Sequence, residues 1–242
     1  MIESLLTEYL RDIKAENILD VGPGYSNFAR LAASVTGARS IAFVDCNTDV
    51  LTWQKNQNDK ASLRSVLFPM SLGRDELEEL HGTYDLILCQ EVLEHLLDPG
   101  MVLCALVRHL STDGRIVITV PTKISERWIK RINKNYMKNE PHGHVQEFDK
   151  QGLTHLLARS GQRPTVFLPA QPHYFVAHTW VFGSRMEVEG SSGKNLTRGW
   201  RLVVARTIFV LAWTLFRLTG LKWWSRLLPR NYFVIAVKKA RG

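Results

Sequence analysis

Apolar runs that each end in a polar or turn residue set the rhythm of this 242-residue chain. Leu5, Leu6, Tyr9, Leu10 and Ile13 fit one face of an N-terminal helix. Ile18-Leu19-Asp20-Val21 reads as a strand; a glycine-rich turn then leads into a helix over Phe28 to Ala33. Ser40 to Asp45 is a second strand ending in an acid, and Leu67 to Leu72 closes a third. Tyr84 to Leu96 is a buried strand running into a helix, Gly114 to Pro121 a fifth strand, and Asn231 to Lys238 a last one. Strands alternating with helices predict an α/β domain, and the length leaves room for a large insertion.

The turn Gly22-Pro23-Gly24-Tyr25-Ser26 carries the first chemistry. Glycine lets a ligand approach the backbone, and the helix behind it offers free N–H groups and a positive dipole end. A dinucleotide fits poorly, because the third glycine of that fingerprint is Asn27 here and Asp20 would face a pyrophosphate. An acid before the first glycine suits a ligand that offers a cation, such as an α-amino group or a sulfonium. S-adenosylmethionine (SAM) has both. Asp45, 25 residues further on, is placed to accept both ribose hydroxyls.

On these residues, followed in order by Tyr84-Asp-Leu-Ile-Leu-Cys-Gln-Glu-Val-Leu-Glu-His-Leu96 and Gly114 to Pro121, the sequence resembles the class I SAM-dependent methyltransferases over residues 15 to 170. The resemblance implies a Rossmann-like, mostly parallel sheet of seven strands, the last antiparallel, with helices on both faces. It implies that Asp20, Gly22, Gly24 and Asp45 bind SAM and that Gln90 lies at its methionine end. Cys46 is expected near the adenine. The acid that many relatives place after the third strand is missing, so Ser71 or a backbone group stands in for it. The domain is expected over 1–170 plus 229–242, with 171–228 an insertion before the last strand.

Charge changes this picture. The chain carries a net +8, yet residues 1–189 hold 20 Lys/Arg against 23 Asp/Glu, while 190–242 hold 11 Lys/Arg and no acid. Such asymmetry points to a polyanionic partner. Within 199–228, Trp200, Trp213, Trp223 and Trp224 interleave with Arg201, Arg206, Arg217, Lys222 and Arg226. The uncharged stretch Thr207–Phe216 is ten residues long, short of the roughly 20 that span a bilayer. The pattern suits helices lying in a membrane interface. A lid over the active site, a dimer face and a nucleic-acid contact are the alternatives, the last disfavoured by the aliphatic run. A second basic, apolar stretch covers Lys123 to Lys138, where Trp128, Ile129 and Ile132 make a stripe beside Arg127, Lys130, Arg131 and Lys134. The acidic N-terminus reads as no secretory signal, and three cysteines without metal spacing suit a reduced, cytoplasmic setting, peripheral on the inner face of the membrane.

Methyl transfer from an activated sulfonium needs alignment and removal of the acceptor's proton. Glu91, Glu94 and His95 share one face of the helix expected there. The loop Pro141-His-Gly-His-Val-Gln-Glu-Phe148 follows the fifth strand, and its His144 or His142 is the candidate base. The Glu-x-x-Glu-His run is similar to that of the ubiquinone-biosynthesis O-methyltransferases. It is also similar to small-RNA 2′-O-methyltransferases, whose metal site implies Glu91, Glu94, His95 and His144 around Mg²⁺ or Mn²⁺. The same run occurs in relatives without metal, where these residues only hold loops. The expected function is therefore O-methylation of a lipid-linked or amphipathic small molecule at the cytoplasmic membrane surface. A metal-dependent RNA 2′-O-methyltransferase and a non-catalytic SAM-binding membrane adaptor are the rivals.

Overall fold

The computed structural model describes residues 2–73, 76–77, 79–132, 143–172 and 229–239. In chain order these form α1 (Ile2–Leu10), β1 (Asn17–Val21), α2 (Phe28–Thr36), β2 (Ser40–Asp45), α3 (Thr48–Lys60), β3 (Arg64–Pro69), β4 (Tyr84–Gln90), a 3-10 turn (Leu93–His95), α4 (Pro99–Arg108), β5 (Leu110–Pro121), α5 (Lys123–Ile132), α6 (Lys150–Arg159), β6 (Gln162–Pro172) and β7 (Pro229–Lys238). His142 and the stretch 173–228, with most of the expected insertion, lie outside the described residues, as does Lys134.

The strands make one seven-stranded sheet in the order β3-β2-β1-β4-β5-β7-β6. Neighbours from β3 through β5 pair in parallel. The direction of β7 follows from its end contacts. Thr122 N–H, just past β5, donates to Arg230 O at 2.7 Å, while Lys238 Nζ, at the other end of β7, bonds Leu110 O at the start of β5. Lys239 N–H likewise donates to Gly161 O, just before β6. The last strand therefore runs against both neighbours, as the resemblance implies.

A parallel sheet covered on both faces needs unbroken apolar strands. Leu86, Ile87, Leu88 and Cys89 are accordingly all buried, as are Ile18, Leu19, Ile41, Phe43 and Ile116 to Ile118. Helix boundaries follow local chemistry. α2 runs three residues beyond the expected Ala33 and stops at Gly37, whose left-handed φ of 84° lets its N–H return to Ala33 O. Asn47 caps α3 by accepting from Asp49 N and Val50 N. β5 starts at Leu110, ahead of the expected Gly114.

The chain divides into two compact units: 1–120 with 144–168 and 232–242, and 121–143 with 169–231. In the second, Thr122 Oγ1 accepts from Ser125 N–H and donates to Pro229 O, starting α5. Ser125 and Glu126 are buried, whereas Ile124 and Trp128 face solvent. The stripe expected on this helix is thus represented among described side chains by Trp128, which is exposed. In the first unit, strand order reverses beside β1, with β2 on one side and β4 on the other. Ligands of open α/β sheets bind at such a switch point, beyond the carboxyl ends of the strands.

Candidate active site

Three strand ends meet at that point. β1 brings Asp20, β2 ends on Asp45 and β4 ends on Gln90. Asp20 is 3% exposed, and its Oδ2 has no hydrogen-bond partner among the described residues. Burial pushes its carboxyl up to about 8; nearby Arg30 opposes the rise and Asp45 adds to it. Gln90 is also buried, and neither atom of its amide has a partner among the described residues. Buried polar atoms left this way cost free energy unless something else completes them. A ligand with an ammonium and a carboxylate, the amino-acid end of SAM, fits Asp20 and Gln90 on these grounds. Asp45 is half-buried, and its Oδ1 accepts from Asn47 N–H at 2.8 Å, which fixes the carboxylate.

The two turn glycines have different reasons. Gly22 continues the sheet by donating to Val44 O at 2.8 Å, at a φ of 61°. A Cβ on it would lie 2.6 Å from Val92 Cγ2, so its bareness makes room for Val92. At Gly24, φ is 51° and a Cβ would meet nothing within 4 Å. That open space is where a ligand can approach. Gly22→Ala is expected to destabilise the fold by about 2–4 kcal/mol, summing left-handed strain and overpacking. In chemical denaturation, Val92→Ala in the same chain should restore part of this loss; full restoration would show that strain at φ plays no part.

The region after β4 departs from expectation. No helix carries Glu91, Glu94 and His95 on one face. Glu91 sits at a φ of 55°, its N–H bonded to Thr119 O, and only Leu93–His95 form a 3-10 turn. A left-handed residue at the end of a strand breaks helical continuity, and strain of this kind concentrates at functional sites. The turn nonetheless assembles a cluster. Glu94, His95 and His144 offer ligand atoms that lie within 4.8 Å of one another, and the two imidazoles stack edge to face at 4.8 Å. The cluster forms because Val145 N–H and Gln146 N–H both donate to Glu94 O, and Gln146 Nε2 reaches the carbonyls of Leu96 and Leu97. Glu91 is not part of it. The four-ligand set reduces to three among the described residues.

Cys46 and Ser71 are both exposed, one just past β2 and the other just past β3. Cys89 and Cys104 fall in β4 and α4, the first buried and the second exposed. Sequence reasoning missed Arg30 and Gln54. Arg30 donates to Gln54 Oε1 at 2.6 Å and Ser26 O at 3.1 Å, and Gln54 donates to Gly24 O at 2.7 Å. The available signal was the face Val50, Leu51, Gln54, Asn58 of α3, apolar in spacing but amide in half its members.

A glycine turn, two strand-end acids and an unsatisfied buried amide at the switch point of this sheet define a class I SAM-dependent methyltransferase. Residues 2–164 match the family described as methyltransferase domain, and the chain belongs to it. It is 31% identical over 130 residues to the mitochondrial ubiquinone biosynthesis O-methyltransferase of Schizosaccharomyces pombe, covering 47% of this chain and 42% of that protein. The ubiquinone biosynthesis O-methyltransferase of Rickettsia akari is 30% identical over 122 residues, 49% of this chain and 45% of that one. The match thus spans less than half the length of either relative. Among solved structures, coclaurine N-methyltransferase bound to N-methylheliamine and SAH superposes with a TM-score of 0.63 at 13% identity, covering 98% of this chain and 70% of that one. A SAM-dependent methyltransferase from Clostridium acetobutylicum gives 0.57 at 8% identity, covering 99% and 89%. Both likenesses concern the fold alone.

Proposed function

We propose that this protein transfers the SAM methyl group to a hydroxyl of a lipid-linked or amphipathic small molecule at the cytoplasmic face of a membrane. The observation that carries the hydroxyl acceptor is the Glu94–His95–His144 cluster, since a hydroxyl must lose its proton where an amine need not. The relatives named for ubiquinone biosynthesis support the same chemistry. The acid-free, Trp- and Arg-rich stretch 190–242 and the exposed Ile124 and Trp128 beside Arg127 and Arg131 support the membrane surface. Among the described residues, no helix is long and apolar enough to cross a membrane. In this reading Asp20 holds the amino group of SAM, Gln90 its methionine end and Asp45 the ribose, with Cys46 and Ser71 bordering the adenine. His144 takes the acceptor proton.

A second reading uses the same cluster as a metal site. Two imidazoles and a carboxylate suit Mn²⁺ better than Mg²⁺, and a bound ion would supply Lewis-acid polarisation of the hydroxyl.

Co-sedimentation with anionic vesicles, followed by incubation of lipid extracts with methyl-labelled SAM, tests the proposal. The intact chain should pellet, the Arg206→Glu/Arg217→Glu variant should not, and label should enter an extractable lipid. Label in RNA with steep salt dependence would replace this reading with an RNA methyltransferase. Vesicle binding without label in any acceptor would leave a SAM-binding adaptor.

A further inference from the structure

The glycine turn is held from one side by neighbouring residues of α3 and by Arg30 of α2. Gln54, 1% exposed, donates from Nε2 to Gly24 O at 2.7 Å and Ser26 O at 3.1 Å, and accepts from Arg30 Nη1 at 2.6 Å. Arg30 Nη2 donates to Ser26 O at 3.1 Å and bonds Asn27 Oδ1. Trp53 lies 5.2 Å beneath the guanidinium, and Tyr25 meets Trp53 edge-on at 5.5 Å. Each residue from 24 to 27 is therefore held by Arg30, Trp53 or Gln54. The N-terminus of α3 is tied to the other half of the site, because its cap Asn47 bonds Asp45.

A turn with two left-handed glycines has many conformations to lose. Fixing the carbonyls of Gly24 and Ser26 removes much of that freedom. Because the peptide is planar and trans, each fixed carbonyl also fixes the next N–H, on Tyr25 and Asn27, in the opposite direction. Gln54 uses both ends of its amide for this, which is why an amide is tolerated at a buried helix position.

We propose that Gln54 and Arg30 are positioning residues for SAM, presetting the glycine turn in its binding shape through their bonds to Gly24, Ser26 and Asn27. This rests on the assignment of SAM to that turn. The groups facing Asp20 are Arg30 from α2, Asp45 from β2 and Cys89 from β4, whose thiol burial keeps neutral. Arg30 alone among them favours the ionised carboxylate. Removing it should raise the pH needed for binding as well as loosening the turn.

Calorimetric titration with SAM between about pH 6 and pH 9 separates these effects. Gln54→Leu is expected to weaken binding about tenfold at every pH; should it not fold, Gln54→Glu, which keeps the bond from Arg30 but turns an acceptor oxygen on the two carbonyls, answers the same question. Arg30→Gln should weaken binding and move its midpoint to higher pH. Arg30→Lys should restore the midpoint but not the affinity, since ammonium cannot reproduce the forked bonds. Wild-type binding with either Gln54 variant, or with Arg30→Gln, within twofold of it would overturn the inference. Wild-type protein that binds no SAM would overturn the assignment beneath it as well.

Discussion

SAM affinity is expected to rise about twentyfold between pH 6 and pH 8 and to fall again at higher pH, where the ammonium of SAM loses its own proton. The cause is Asp20. With its carboxyl pushed up to about 8 by burial, the ligand-free protein holds a proton there throughout the neutral range. The ammonium of SAM demands the ionised form, so binding at pH 7 must expel that proton. Calorimetry in two buffers of different ionisation enthalpy should count close to one proton released per SAM. The sign for stability is opposite. The unfolded chain gives up this proton near the ordinary value of 3.8, while the folded chain keeps it to about 8. Ligand-free stability from this group is therefore full below about pH 4 and falls as pH rises toward 8. Asp20→Asn removes that penalty, so without ligand it should melt higher than wild type at neutral pH. It should also lose about 2–5 kcal/mol of SAM binding, a loss of about 30-fold or more. A flat affinity profile with no proton release would show that Asp20 does not meet the cation.

What the sequence disclosed and what it hid divide along a physical line. Strands buried on both faces cannot avoid long apolar runs, so β1, β2, β4 and β5 are visible as such, and Asp20, Asp45 and Gln90 fall at their ends. The turn after β4 was hidden because helix and 3-10 turn share the i, i+3 spacing that links Glu91 to Glu94. Only the left-handed backbone at Glu91 decides between them, and no residue type announces it. Gly22 was legible as a required glycine, but the methyl of Val92 that also requires it, 70 residues away in sequence, was not. Gln54 was invisible because its partners are backbone carbonyls of a distant turn. Tertiary contact, not propensity, makes each of these residues matter.

The His144 ring is expected to govern turnover more than any other described side chain outside the SAM site. Its loop is fastened through backbone bonds from Val145 and Gln146 to Glu94 O and through the Gln146 side chain. Truncating the imidazole should therefore leave the fold and SAM binding in place. His144→Ala is expected to lower kcat about 100- to 1000-fold, the worth of one positioned proton acceptor, with the Kd for SAM unchanged. The neighbours then tell the two readings of the cluster apart. If His144 acts alone as base, chelators leave wild-type turnover intact, and Glu94→Gln and His95→Ala fall much less than His144→Ala. If the three hold an ion, chelation abolishes turnover, Mn²⁺ restores it, and the three variants fall by similar factors because ligands of one ion act as a unit. A His144→Ala enzyme within threefold of wild type would remove the cluster from the chemistry altogether. The hydroxyl acceptor would then lose its main support.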